Sequence, residues 1–154
     1  MKTNNFIKII TIIGSIAVVA ILGSIFVNLG MDWFNSLIRP SQWIPNIIIP
    51  IVWTIIYSIF AILLSVWSSK ENIPTPIILN LIINGILNVL WCLLFFTLEL
   101  TFVGNIAIVL NLIAGIVLFI QIFKTKRLYS YFIAIYPLWL SLATTLNLAL
   151  WILN

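Results

Sequence analysis

Residues 76–96 read PIILNLIINGILNVLWCLLFF, and their reading decides the fold. Apolar side chains occupy both alternating positions, so neither face of a strand would be polar, and the run is too long for one strand. A helix of this length satisfies its own backbone polar groups in lipid and meets the roughly 20 apolar residues that a bilayer crossing needs. Asn80, Asn84 and Asn88 recur every four residues, on one helical stripe that continues into Trp91 and Phe95.

Outward from this stretch the same texture repeats. The chain has 154 residues, is 64% hydrophobic and only 6% charged, with a mean hydropathy of +1.28; about a quarter charged is usual for soluble domains. Its charges leave five charge-free windows, at residues 9–31, 40–69, 72–98, 100–123 and 128–154. The expected fold is an all-α membrane protein, a five-transmembrane-helix bundle forming one domain over residues 1–154. Its spans are expected near 8–27, 45–67, 76–98, 102–123 and 128–153. The connection at 28–44 is too short for a separate domain, and its three aromatics, one cation and Pro40 suggest an ordered loop.

Composition closes off most familiar chemistry. The chain has no histidine and a single cysteine, Cys92, so a His-Cys metal cluster, a Ser-His-Asp triad and a CxxC redox pair cannot be built. No metal or other cofactor is expected. Asp32, Glu71 and Glu99 all fall in connections, which leaves mid-membrane without the ionisable groups of an ion-driven pump.

Lys2, Lys8, Lys70, Lys124, Lys126 and Arg127 lie on one side of a five-span topology, and Arg39 alone on the other. This positive-inside pattern places the N-terminus in the cytoplasm and the C-terminus outside, and favours a bacterial cytoplasmic membrane. So few cations suit the inner lipid surface rather than a nucleic acid, and no nucleic-acid partner is expected. The apolar run at residues 9–27 exceeds a usual signal-peptide core, and Leu22-Gly23-Ser24 is a poor cleavage site; the segment is expected to remain as the first span.

Prolines mark local detail. Pro45 suits the first turn of the second span, Pro50 a turn further in should bend it, and Pro137 should kink the fifth. The seven tryptophans divide by depth. Trp33, Trp43, Trp67 and Trp151 lie near interfaces, where an aromatic belt explains them. At 1.5 Å per residue, Trp53 and Trp91 fall roughly 5 Å outward of mid-membrane and Trp139 near the middle, where a belt does not. Helical spacing sets Trp53 with Tyr57 and Phe60, and Tyr136 with Trp139, Ala143 and Leu146 or Asn147. If these faces meet the asparagine stripe, they form an aromatic box suited to a flat apolar ligand with polar edges. The plainer alternative is a packed aromatic core in which each amide bonds a neighbouring helix for about 0.6 kcal/mol.

The residues in this order resemble a known family. Trp33-Phe34-x-x-Leu37-x-Arg39-Pro40 followed by Trp53-x-x-x-Tyr57, then Asn84-x-x-x-Asn88-x-x-Trp91-x-x-x-Phe95-Phe96, then Tyr136-x-x-Trp139-x-x-x-Ala143-x-x-Leu146-Asn147, are similar to three segments of the tryptophan-rich sensory protein family. That family is also called translocator protein or peripheral benzodiazepine receptor. Against its pattern, Trp43 sits one place late, Asn46 replaces a proline, and Pro137 follows Tyr136 instead of preceding it. No Lys or Arg follows to form the sterol-contact pattern of animal members.

The resemblance implies a five-helix bundle, usually a homodimer, in the lipid bilayer. It implies a receptor or sensor that binds a porphyrin such as protoporphyrin IX, and benzodiazepine-type or isoquinoline ligands, in a pocket under the first loop. Carried over, the ligand-binding residues are Trp53, Tyr57, Asn84, Asn88, Trp91, Trp139, Ala143 and Leu146. Trp33 and Arg39 are assigned to a loop lid, with Arg39 expected to pair with a propionate. Two alternatives stay open. One is an enzyme of light- and oxygen-dependent protoporphyrin IX degradation, with Trp53 and Trp139 as candidate catalytic residues; the other is a small transport or scaffold subunit whose box is only core.

Overall fold

A computed structural model describes residues 2–41 and 44–154 and, of residues 2–4, the backbone alone. Trp43, assigned above to an interface belt, lies outside the described residues, as does the side chain of Lys2. The described elements are α1 (Lys2–Leu29), α2 (Met31–Ser36), α3 (Ile48–Lys70), α4 (Thr75–Cys92) continuing into a π-helical turn (Leu93–Thr97), α5 (Thr101–Thr125), α6 (Arg127–Ile133) and α7 (Ile135–Leu153). Among the described residues there is no strand. Five helical stretches are long and apolar enough to cross a membrane: Asn5–Leu29, Ile48–Lys70, Thr75–Thr97, Thr101–Thr125 and Arg127–Leu153. The fold is an all-α bundle, as the apolar windows require.

The spans form a closed ring. α1 packs on α3 and α4, α4 on α5, α5 on α7, and the broken fifth span (α6 and α7) on α3. α3 and α4, although consecutive, make no backbone approach to each other. The ring therefore encloses space between α1, α3 and α4, which only side chains bridge. One end of the bundle carries Lys8, Glu71 and Lys126 and is called the basic end; the other carries α2 and Arg39 and is called the loop end.

Several boundaries differ from the sequence reading, each for a local reason. The second span begins at Ile48 and runs to Lys70, not from Pro45 to Trp67. Pro50 therefore falls in the first turn, where a missing N–H breaks no helical bond, which removes the reason for the expected bend. The first span extends to Leu29 rather than Val27. The fifth is not one helix over 128–153: it breaks at Ala134, between Ile133 and Ile135. Pro137 has no N–H for the Ile133 carbonyl, and bonding resumes with Leu138 N donating to Ala134 O at 3.3 Å.

The loop end is built around the π turn. A π turn winds fewer degrees per residue than an α turn, so adjacent Phe95 and Phe96 both point inward and are buried. Two glycines admit it. A Cβ on Gly104 would lie 2.8 Å from Phe95 Cβ, and one on Gly30 would overlap the Phe96 carbonyl oxygen. The turn is closed by Leu98 N and Leu100 N donating to Leu93 O and Leu94 O, both at 2.9 Å, with Glu99 left-handed at φ 57°. Trp33 sets its edge on Phe95 at 5.7 Å and Phe34 packs on Phe96 at 5.1 Å with the rings tilted by 50°, so α2 caps the bundle as an ordered segment.

Candidate functional site between the first three spans

Trp53 is the hub of the aromatic cluster. On α3 it stacks at 5.5 Å and 27° on Tyr57, one turn along the same face. Across the ring it meets Trp91 of α4 at 6.1 Å and the edge of Tyr136 of α7 at 6.4 Å. Phe60, a further turn along α3, packs edge-on against Tyr136 at 5.4 Å and 86°. Each such pair is worth about 0.5–1.5 kcal/mol beyond its buried area, so three spans are held in register by rings. Tyr136 and Trp91 are buried; Trp53 and Tyr57 remain half-buried.

An amide ladder runs beside these rings. Asn80 donates to Gln121 Oε1 of α5 at 3.1 Å, which ties two neighbouring spans. Asn84 donates back to Asn80 O at 2.8 Å and Asn80 Oδ1 at 3.0 Å. The Tyr136 hydroxyl sits 3.1 Å from both Asn84 Oδ1 and Asn111 Oδ1. One hydroxyl proton serves one acceptor at a time, so the second contact is strong only with the Asn111 amide turned to donate. Tyr57 donates to Asn88 Oδ1 at 3.2 Å, bridging α3 and α4 where their backbones stand apart.

Two cavities flank that bridge. The larger, about 900 Å³, runs between α1, α3 and α4 from Lys8, Glu71 and Asn72 at the basic end to Trp53, Asn88 and Tyr136. The smaller, about 460 Å³, lies beneath the loop, walled by Gly23 and Asn28 of α1, Phe34, Asn46, Pro50 and Trp91. Trp53, Tyr57 and Asn88 line both, so the Tyr57–Asn88 hydrogen bond is the partition.

The sequence-assigned residues distribute unevenly over this space. Asn84 lines the larger cavity and Trp91 the smaller, while Trp139, Ala143 and Leu146 line neither. Trp139 and Ala143 are buried on α7. The Trp139 Nε1 has no hydrogen-bond partner, nor do Trp91 Nε1, Asn147 Nδ2 or either amide atom of Asn105. Each such buried group costs about 1–3 kcal/mol when left unsatisfied, and all belong to α4, α5 and α7.

The lid residues hold the loop rather than facing the cavities. Trp33 and Arg39 line neither cavity. The Arg39 guanidinium donates to Phe34 O at 3.0 Å, Asn35 Oδ1 at 3.1 Å and Asn46 Oδ1 at 3.0 Å, and lies 4.8 Å over the Phe34 ring. It thereby positions Phe34 and Asn46, which do line the smaller cavity. Asn154 ties the loop to the end of the fifth span: Ile38 N donates to Asn154 Oδ1 at 2.9 Å, and Asn154 Nδ2 to Ile38 O at 3.1 Å.

Sequence reasoning missed the partners of the ladder, Asn111 and Gln121, and the unsatisfied Asn105. The signal existed, since an amide within an apolar window is what singled out Asn80, Asn84 and Asn88. Trp67 was assigned to a belt and is instead core: it is 2% exposed and meets the edge of Tyr129 at 5.9 Å. Trp151, 44% exposed against Phe102, does face outward.

The pattern of the TspO/MBR family matches residues 11–152 of the chain. The tryptophan-rich protein TspO of Archaeoglobus fulgidus is 26% identical over 152 residues, which cover 97% of this chain and 99% of that protein. An uncharacterized membrane protein of Bacillus subtilis, YtaB, is 31% identical over 147 residues, which cover 88% of this chain and 93% of its own length.

Proposed function

The chain belongs to the TspO/MBR family and is an integral membrane protein, and on that premise we propose that it is a receptor or sensor for a tetrapyrrole such as protoporphyrin IX. Benzodiazepine-type and isoquinoline ligands are taken by the same aromatic space around Trp53. The protein works as a homodimer in a bacterial cytoplasmic membrane, with the basic end and N-terminus in the cytoplasm and the C-terminus outside.

The observation that carries this reading is the position of Trp53. It lines both cavities and is half-buried while stacked on Tyr57 and backed by Trp91 and Tyr136. Trp67, Trp91 and Trp139 are at most 8% exposed, whereas Trp53, packed against three rings, is left open to space. A volume of about 900 Å³ is within the range of about 300–1,000 Å³ usual for ligand pockets.

The test is a protoporphyrin IX titration of purified protein, following tryptophan quenching in the dark and porphyrin absorbance under light. Saturable quenching at micromolar porphyrin with intact absorbance is the expected result, and quenching that weakens in Trp53→Phe ties it to this space. No saturable quenching would sink the reading and leave the rings as core. Protein-dependent loss of absorbance in light and oxygen, slowed by Trp53→Phe or Trp139→Phe without loss of binding, would replace sensing by porphyrin degradation.

A further inference from the structure

We propose that the basic-end mouth of the larger cavity is where the ligand's carboxylates are recognised, and that Lys8 is the cation that binds them. This rests on the tetrapyrrole reading above and orients the ligand: carboxylate edge at the basic end, apolar ring toward Trp53. Lys8 is the one cation among the described residues lining either cavity. Its position is fixed by two contacts between α1 and the α3–α4 turn: Lys8 Nζ donates to Asn72 Oδ1 at 2.9 Å, and Asn5 Nδ2 to Ser69 O at 3.2 Å. The ammonium keeps further protons for an anion, and the Asn72 amide sets an NH2 group in the same mouth.

The local charges favour an anion there. Glu71 shares the mouth, but its carboxylate is paired with Lys126 from the α5–α6 junction, which compensates the charge that would otherwise repel a ligand carboxylate. Arg39, the other cation the ligand could meet, faces the loop and lines neither cavity. Along α1 the cavity wall runs from Lys8 to Val19, roughly 16 Å at 1.5 Å per residue. A flat macrocycle thus fits lengthwise, with one edge at the ammonium and its ring against Trp53. The arrangement also lets the ligand reach the site from the membrane face that carries the basic residues, without displacing the loop.

Dark titrations with protoporphyrin IX and with its dimethyl ester test the assignment in the full-length protein and in Lys8→Gln, Lys8→Arg and Arg39→Gln. Lys8→Gln is expected to weaken the free acid roughly tenfold, the scale of one charge-assisted hydrogen bond, and to leave the ester unchanged. Lys8→Arg should retain acid affinity, and raised ionic strength should narrow the gap between acid and ester in the unsubstituted protein. Unchanged acid affinity in Lys8→Gln, or an equal loss for acid and ester, overturns the assignment while the tetrapyrrole reading survives. A loss selective for the acid in Arg39→Gln alone moves recognition to the loop. Failure of the unsubstituted protein to bind either porphyrin overturns both.

Discussion

Removing the Tyr136 hydroxyl as Tyr136→Phe tests whether the amide ladder holds the bundle together. The oxygen lies 3.1 Å from Asn84 Oδ1 and 3.1 Å from Asn111 Oδ1, all three residues being at most 5% exposed. Phenylalanine keeps the ring against Trp53 and Phe60, so no cavity opens and the loss is confined to polar contacts. Asn84 keeps its Nδ2 bonds to Asn80 but its Oδ1 loses the hydroxyl, and the Asn111 amide, whose other polar atom has no partner, loses its link to the fifth span. Interhelical hydrogen bonds in membranes average about 0.6 kcal/mol and reach about 1.7, and a stranded buried amide adds to that. The expected destabilisation is about 1–2 kcal/mol, read as a shift in reversible unfolding in mixed detergent–SDS micelles. Replacing Asn111 by Leu removes one of the two groups that would be stranded, so Tyr136→Phe should cost about 0.6–1.7 kcal/mol less in that background. Tyr136→Phe as stable as the parent, or two costs that simply add, would refute the coupling.

Three further outcomes follow from the packing. Gly30→Ala should destabilise by about 3 kcal/mol or more, because its Cβ overlaps the backbone carbonyl of Phe96 and no rotamer change relieves a backbone clash; Gly14→Ala, with nothing within 4 Å, should gain about 0.5–1 kcal/mol of helix propensity, and thermal unfolding in detergent compares the two. Glu99→Gly should stabilise by about 0.5–1 kcal/mol in the same assay, since φ 57° is a left-handed conformation that a side chain disfavours. Asn154→Ala removes both bonds to Ile38, so amide exchange over residues 37–41 should speed up about tenfold, the effect of losing about 1.4 kcal/mol, while the helices keep their protection.

The spans were legible because lipid leaves little choice: charge-free windows of helical length must be helices, and five of them are. The polar ladder was legible for the same reason, since an amide in an apolar window demands a partner. The ends of helices were less so. Pro50 reads as a bend only if the helix starts a full turn or more before it, and the start at Ile48 depends on how the loop docks through Arg39 and Asn46. The π turn carries no local signature beyond adjacent Phe95 and Phe96. It exists because Gly30 and Gly104, remote in sequence, leave room for it. Trp67 looked interfacial by depth, but α6, the short helix before the break at Ala134, lies on α3 and covers it.

What no single helix could disclose is the separation of α3 and α4, and the site depends on it. Consecutive spans joined by a short turn ordinarily pack together, in which case Tyr57, Trp53, Asn88 and Trp91 would interdigitate and leave no cavity. Here α1 packs on both helices, while α4 lies against α5 and α3 against the broken fifth span. The gap survives because its spacers are specific. Asn80 ties α4 to α5 through Gln121, Tyr136 ties α4 to α7, and Trp53 and Phe60 brace α3 against Tyr136. Each tie pulls α3 or α4 toward the far side of the ring rather than toward the other. The amides that sequence reasoning divided between helix glue and ligand site therefore brace the bundle and border its cavities at once: by fixing the far packing, Asn80 and Asn84 keep open the space that Trp53 and Asn88 line.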